Sequence, residues 1–165
     1  MVDNDLLLEF DGLIARLTIN RPDSRNPLGQ PGDGARFRAA ADAINANKNL
    51  RCVIMTGAGP AFSAGGDLKA MRDKSGYFGG SPDEIRDHYR RHIHGIVHAM
   101  WDIEVPVVGA INGPAIGLGG DVAGHVAAVD ERGDGPAVLA GVDGQPHVGR
   151  SGVTGLDQTG GGQHA

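Results

Sequence analysis

One cysteine, Cys52, stands in a chain of 165 residues. An intramolecular disulfide is therefore excluded, and a reducing compartment suits the protein. Cys52 begins the apolar run Cys52-Val53-Ile54-Met55, where a buried and inert thiol is expected. Aromatic residues are few, one Trp, two Tyr and four Phe, and none follows Trp101. Positive charge is not in excess: 15 Lys and Arg against 20 Asp and Glu leave a net charge of −5. That balance excludes a broad basic surface for nucleic acid or anionic lipid. No apolar run approaches the ~20 residues of a membrane span; the longest candidate, residues 105–118, is broken by Pro106, Asn112 and Pro114. Met1-Val2-Asp3-Asn4-Asp5 has no Lys or Arg, so a secretory leader is not expected and a cytoplasmic location is.

Glycine, by contrast, is abundant. There are 28, more than twice the roughly 7% share of ordinary proteins, and no G-x-y period, which excludes collagen. They fall into two populations. Residues 124–165 hold 11 of them in a segment without Phe, Tyr, Trp, Ile, Met, Lys, Asn or Cys. The rest punctuate a patterned region long enough for one domain.

In that region residues 6–10 and 13–19 read as strands, and Asp11-Gly12 between them signals a hairpin. Leu13, Ala15, Leu17 and Ile19 alternate with Ile14, Arg16 and Thr18, which predicts one buried face. After a loop rich in Pro, Gly and Asp, residues 34–48 predict a helix with Phe37, Ala40, Ala41 and Ile44 on one stripe. Residues 52–56 and 105–111 predict short buried parallel strands. Residues 67–73 predict a short helix. Ser81-Pro82-Asp83-Glu84 starts a longer one, with Ser81 as cap, Pro82 in the first helical position and Glu84 closing a capping box. Ile85, Tyr89, Ile93, Ile96, Val97 and Met100 share its apolar face. His88, His92, His94 and His98 include an i, i+4 pair, but no Glu follows His88 as in the zinc-protease motif. They are read as an amphipathic face, and no metal site is expected. The order of elements predicts a mixed α/β domain with helices joining parallel strands.

Two of the predicted strands each end in a loop of small residues followed by an Asp at a helix start. The first loop is Ser63-Ala64-Gly65-Gly66-Asp67-Leu68 and the second Ala115-Ile116-Gly117-Leu118-Gly119-Gly120-Asp121. Such loops expose unpaired backbone N–H groups, and two that converge would make a two-donor oxyanion hole. Dinucleotide binding is disfavoured, because Phe62 stands where Gly57-Ala58-Gly59 would need its third glycine. No glycine loop ends in Gly-Lys-Ser/Thr, so a P-loop is disfavoured as well.

Gly57-Ala58-Gly59-Pro60-Ala61-Phe62-Ser63-Ala64-Gly65-Gly66-Asp67-Leu68 resembles the first signature of the enoyl-CoA hydratase/isomerase (crotonase) family. The stretch from Val105-Pro106-Val107 through Asn112-Gly113-Pro114 to Asp121 resembles the second, and Arg21-Pro22 with Asn26-Pro27-Leu28 resembles its substrate loop. The resemblance covers roughly residues 5–123. It implies an α/β, crotonase-like (ClpP/crotonase) spiral of β-β-α units that binds an acyl-CoA thioester as substrate, with no cofactor. The thioester oxygen would lie between the N–H groups of Gly66 and Leu118. Arg25, Pro27, Ala64, Asp67, Leu68, Pro114 and Gly117 would line the substrate path. Asp67 is equally able to cap its helix, and Lys69 is either a CoA-phosphate contact or a surface lysine. Asp121 occupies the place of the first catalytic carboxylate, a Glu in hydratases, and is able either to position a water or accept a proton, or only to cap its helix. The family also implies trimers or hexamers.

The remaining segment departs from the family, which would continue with a strand, a loop bearing a second carboxylate and closing helices. We expect residues 1–123 to be the N-terminal part of the domain, truncated there. Residues 124–165 are then a Gly-rich tail, either disordered or an out-of-frame continuation of a GC-rich gene. Two functional readings follow: enoyl-CoA hydration or isomerisation, or an inactive remnant that at most binds CoA or pairs with homologous subunits.

Overall fold

A computed structural model describes residues 4–124, 126–130, 138–140 and 146–148. Strands β1 (Leu6–Asp11) and β2 (Ile14–Ile19) form an antiparallel hairpin. Its register closes on Asp11 opposite Ile14, so the two turn residues are Gly12 and Leu13, one place later than expected. Gly12 takes φ +56, the positive φ that a Gly-first two-residue hairpin loop requires. Leu13 consequently lies in the turn and is exposed rather than on the buried face.

Helix α1 (Asp33–Ala46) crosses from β2 to β3 (Cys52–Gly57), which pairs parallel with β2. A longer excursion then returns to β4 (Val107–Ile111), parallel to β3. It contains α2 (Leu68–Arg72), α3 (Pro82–His88), a π-helical turn (Tyr89–Ile93) and α4 (His94–Trp101). Helix α5 (Leu118–Gly124) leads to β5 (Ala127–Asp130), parallel to β4. The sheet order is therefore β1-β2-β3-β4-β5. Strands β6 (Val138–Ala140) and β7 (Pro146–Val148) pair separately, antiparallel.

The alternation in β2 places Ala15, Leu17 and Ile19 in the core with Val53 and Met55 of β3. Phe37, Ala40, Ala41 and Ile44 of α1 cover them, together with Ile96, Ala99 and Met100 of α4. Ser81 caps α3 as its sequence requires: its hydroxyl accepts from the Glu84 N–H, and the Glu84 carboxylate accepts from the Ser81 N–H at 2.7 Å. Cys52 is half-buried rather than buried, because β3 turns only alternate residues inward and Cys52 lies on the other face beside Ile54.

The sheet also continues past residue 123. Val126 is buried and Ala127–Asp130 adds to β4, since a short run of small and β-branched residues suffices where an open strand edge offers hydrogen bonds. The rest of the expected tail, apart from β6 and β7, lies outside the described residues.

Candidate active site

Three loop segments at the ends of the central strands assemble the site. The Ala64 N–H donates to the Arg25 carbonyl at 2.8 Å, and the Leu28 N–H to the Gly65 carbonyl at 2.8 Å. On the other side the Ser63 N–H donates to Pro114 O at 3.1 Å, and the Ile116 N–H to Ser63 O at 3.0 Å. Parallel bridges pair Pro27 with Gly65 and Ser63 with Ala115. The three glycine- and proline-rich segments foreseen as separate loops thus form one small ladder, with the first signature in the middle.

Within it the backbone N–H groups have distinct fates. That of Gly65 is taken by the Ser63 hydroxyl at 3.1 Å, which itself donates to Asn26 O at 2.7 Å. Among the described residues, the N–H groups of Gly66 and Leu118 donate no hydrogen bond. Leu118 is the first residue of α5, where a helix leaves its N–H without an internal partner. The two donors are neighbours: a Cβ on Gly65 would stand 3.4 Å from the Leu118 nitrogen and inside contact range of the Ile116 carbonyl. Gly65 also sits at φ +78, in the left-handed region. Gly119 permits the approach of α5, because a Cβ there would come within 2.6 Å of the Ser63 Cβ.

The other expected site residues divide between two depressions. Arg25, Ala64 and Pro114 line a cavity of about 380 Å³ with Pro60, Ala61 and Ile116. Pro27 and Asp67 border a second, of about 500 Å³, with Arg21 and Gln30. Asp67 caps α2, its carboxylate accepting from the Ala70 N–H at 2.9 Å. Leu68 and Lys69 are exposed. Gly117 enters α5 at φ +52, and Asp121 is exposed one helical turn beyond Leu118.

Two residues have central structural roles that the sequence did not reveal, although Asn26 belongs to the loop motif named above. Asn26 is fully buried. Its amide donates to Ala58 O and Ala61 O, both at 2.8 Å, while its oxygen accepts from the Arg21 N–H at 2.8 Å. Asp33, also buried, accepts from the Arg21 guanidinium at 2.6 and 3.0 Å and from the Gln30 N–H at 2.9 Å. Burial alone would lower the Arg21 pKa, but hydrogen bonds and charge from Asp33 and Asp5 outweigh it and raise it. Both anchors link segments far apart in sequence, which no periodicity reveals. Replacing Asn26 with Ala is expected to cost about 3 kcal/mol by stranding a buried donor and two acceptors. Asn26→Asp should not restore it, since a carboxylate cannot donate; urea unfolding of the two variants measures both.

The histidines do not form the uniform amphipathic face expected. His94 and His98 are exposed, whereas His88 is only 6% exposed. The difference arises because residues 76–80 fold back over α3: Tyr77 stacks on His88 at 4.8 Å and Phe78 meets it edge-on at 5.3 Å. His92 lies 4.9 Å away, its Nδ1 accepting from the Gly32 N–H at 3.2 Å. Both ring nitrogens of His88 lack a hydrogen-bond partner, an omission that costs about 1–3 kcal/mol. Burial lowers the His88 pKa and repulsion from His92 adds to this, while the Gly29 carbonyl opposes it without reaching hydrogen-bond geometry. The folded chain therefore resists a proton that the unfolded chain accepts below about pH 6.5. Stability should be complete above that pH and fall as the pH drops through the lower folded pKa. Thermal unfolding of His88→Phe should show a weaker loss between about pH 7 and pH 5. Among the described residues, no group of three or more His, Cys, Asp or Glu is arranged to hold a metal, and no helix is long and apolar enough to cross a membrane.

Two adjacent, unpartnered backbone donors at the ends of parallel strands make a site suited to a developing negative charge. The chain belongs to the enoyl-CoA hydratase/isomerase family, whose model matches residues 9–128. It is 37% identical over 134 residues to a Mycobacterium tuberculosis protein named probable enoyl-CoA hydratase EchA14, covering 81% of this chain and 48% of that one. The structure of Pseudomonas aeruginosa DspI is similar at a TM-score of 0.68 and 28% identity, over 84% of this chain and 49% of the other. An enoyl-CoA hydratase/isomerase from Mycobacterium paratuberculosis is similar at 0.66 and 30%, over 84% and 53%. The fold is thus crotonase-like, and the chain spans about half the length of these relatives.

Proposed function

We propose that the chain binds an acyl-CoA thioester with its carbonyl oxygen between the N–H groups of Gly66 and Leu118, and hydrates or isomerises the enoyl form. The reading is carried by those two adjacent donors without partners. Adding water across the α,β double bond places hydroxyl on Cβ and hydrogen on Cα, and both this and proton migration pass through an enolate. Negative charge then grows on the thioester oxygen, where fixed donors stabilise it without reorganising. Asp121, one turn along α5 and exposed, positions the water or exchanges the Cα proton. Arg25, Ala64 and Pro114 border the approach of the CoA arm, and Pro27, Asp67, Leu68 and Gly117 hold or flank the loops that frame it. Both reactions are redox-neutral, so the proposal requires no redox cofactor.

Loss of the enoyl-thioester absorbance of crotonyl-CoA, paired with calorimetric titration of CoA, tests the proposal. Turnover supports it. Binding without turnover is the result that the non-catalytic reading requires, and absence of both signals overturns the assignment.

A further inference from the structure

Strand β1 is one edge of the five-stranded sheet. The Asn20 N–H donates to Asp5 O at 2.8 Å, and the pairing then runs unbroken from Leu6 opposite Ile19 to Asp11 opposite Ile14. Antiparallel hydrogen bonding alternates along a strand. Leu7, Glu9 and Asp11 therefore exchange bonds with β2, while the N–H and C=O groups of Leu6, Leu8 and Phe10 point away from it. Among the described residues these outward groups have no partner.

Natural sheet edges are usually blunted by lysine, proline, a bulge, shortness or a covering element. Leu6-Leu7-Leu8-Glu9-Phe10-Asp11 contains neither lysine nor proline, and its register has no bulge. Leu6 and Leu8 pack against the core. Phe10 lies on the same face, opposite the buried Ala15, yet is 49% exposed. The edge thus presents a regular row of unpaired backbone groups that ends on an uncovered aromatic ring.

We infer that this edge pairs with β1 of a second copy of the chain, antiparallel across a two-fold axis at Leu8. Main-chain bonds of this kind supply the affinity when a strand adds to a sheet. The register sets Leu8 opposite Leu8 and Leu6 opposite Phe10, which uses every outward group in about six hydrogen bonds. Each Phe10 ring then gains Leu6 of the other copy as a cross-strand neighbour that covers it. Charge is matched at the ends. Asp11 comes opposite Asp5 of the second copy, where the Arg21 and Arg36 guanidinium groups lie 3.0 and 3.6 Å from the Asp5 carboxylate. Because the two-fold consumes both β1 edges, assembly closes at two copies instead of growing into a fibre. One strand pair is smaller than the roughly 800 Å² per partner of a standard interface, so a dissociation constant of about 10–100 μM is expected. The dimer does not depend on the acyl-CoA reading.

Sedimentation velocity of the full chain between about 1 μM and 1 mM should show a reversible monomer–dimer equilibrium. Amide exchange followed by NMR should slow with concentration at Leu6, Leu8 and Phe10 and stay constant at Leu7, Glu9 and Asp11. Phe10→Lys places a lysine on the edge and should weaken association at least about 10-fold. Leu13→Lys, at a residue 56% exposed in the adjoining turn, should not. Thermal unfolding checks that both variants fold, and the exchange readout on the native chain is independent of them. A monomer at every concentration overturns the inference, as does a dimer that leaves the Leu6, Leu8 and Phe10 amides unprotected. Protection independent of concentration overturns it too, since a segment of the same chain would then occupy the edge.

Discussion

Under the proposed function Gly65→Ala is expected to abolish turnover, and it should destabilise the domain by about 3 kcal/mol, from a left-handed alanine and local overpacking together. The backbone at this position has φ +78. A methyl group would enter the space of the Ile116 carbonyl and press on Ile116 C at 3.1 Å and Leu118 N at 3.4 Å. No flexible side-chain end stands in the way to yield. Relief requires separating the first and second signatures, which moves the Gly66 and Leu118 N–H groups and breaks the Ser63 to Ile116 ladder. Urea unfolding and the crotonyl-CoA assay measure the two losses. Gly12→Ala is the control, since that glycine also has positive φ but meets nothing within 4 Å; it should lose only the conformational part and retain turnover.

Leu118→Pro separates the donor from the scaffold. Proline is tolerated at the first position of a helix, where its missing N–H has no internal partner to lose, and Leu118 opens α5. Gly117, having no Cβ, limits the clash that proline imposes on the preceding residue. Under the proposed function the substitution removes one of two oxyanion donors, and kcat should fall about 10²–10³-fold. Leu118→Ala removes the same side chain but keeps the N–H, so its kcat should stay close to the native value. Equal losses in the two variants would assign the role to the Leu118 side chain against Gly29 instead.

How much was legible in advance depended on the range of the interactions. Alternation along β2 and the Ser81–Glu84 box are local patterns, and both the buried face and the cap follow from them. The two glycine loops were visible as motifs, and pairing of their strands in one parallel sheet brings them together. Asn26 was visible as part of the substrate-loop motif but its anchoring role was not, because that role consists of bonds to residues 32 and 35 positions away. The π-helical turn and the burial of His88 likewise arise from packing against Gly34 and the 76–80 segment, which helical periodicity does not encode. The hairpin turn fell one residue late because the pairing register of β1 and β2, not the Asp-Gly pair alone, decides which two residues are left over. Strand β5 was missed because four residues are too few to show a period, while an open edge on β4 is enough to recruit them.

The central claim concerns where a thioester oxygen binds, and isotope-edited infrared spectroscopy of a bound [1-13C]acyl-CoA reads that oxygen directly. Donation from Gly66 and Leu118 should move the carbonyl band below its frequency in water, with a smaller shift in Leu118→Pro and an undiminished one in Leu118→Ala. A bound thioester whose carbonyl band stays at its aqueous frequency would contradict the account.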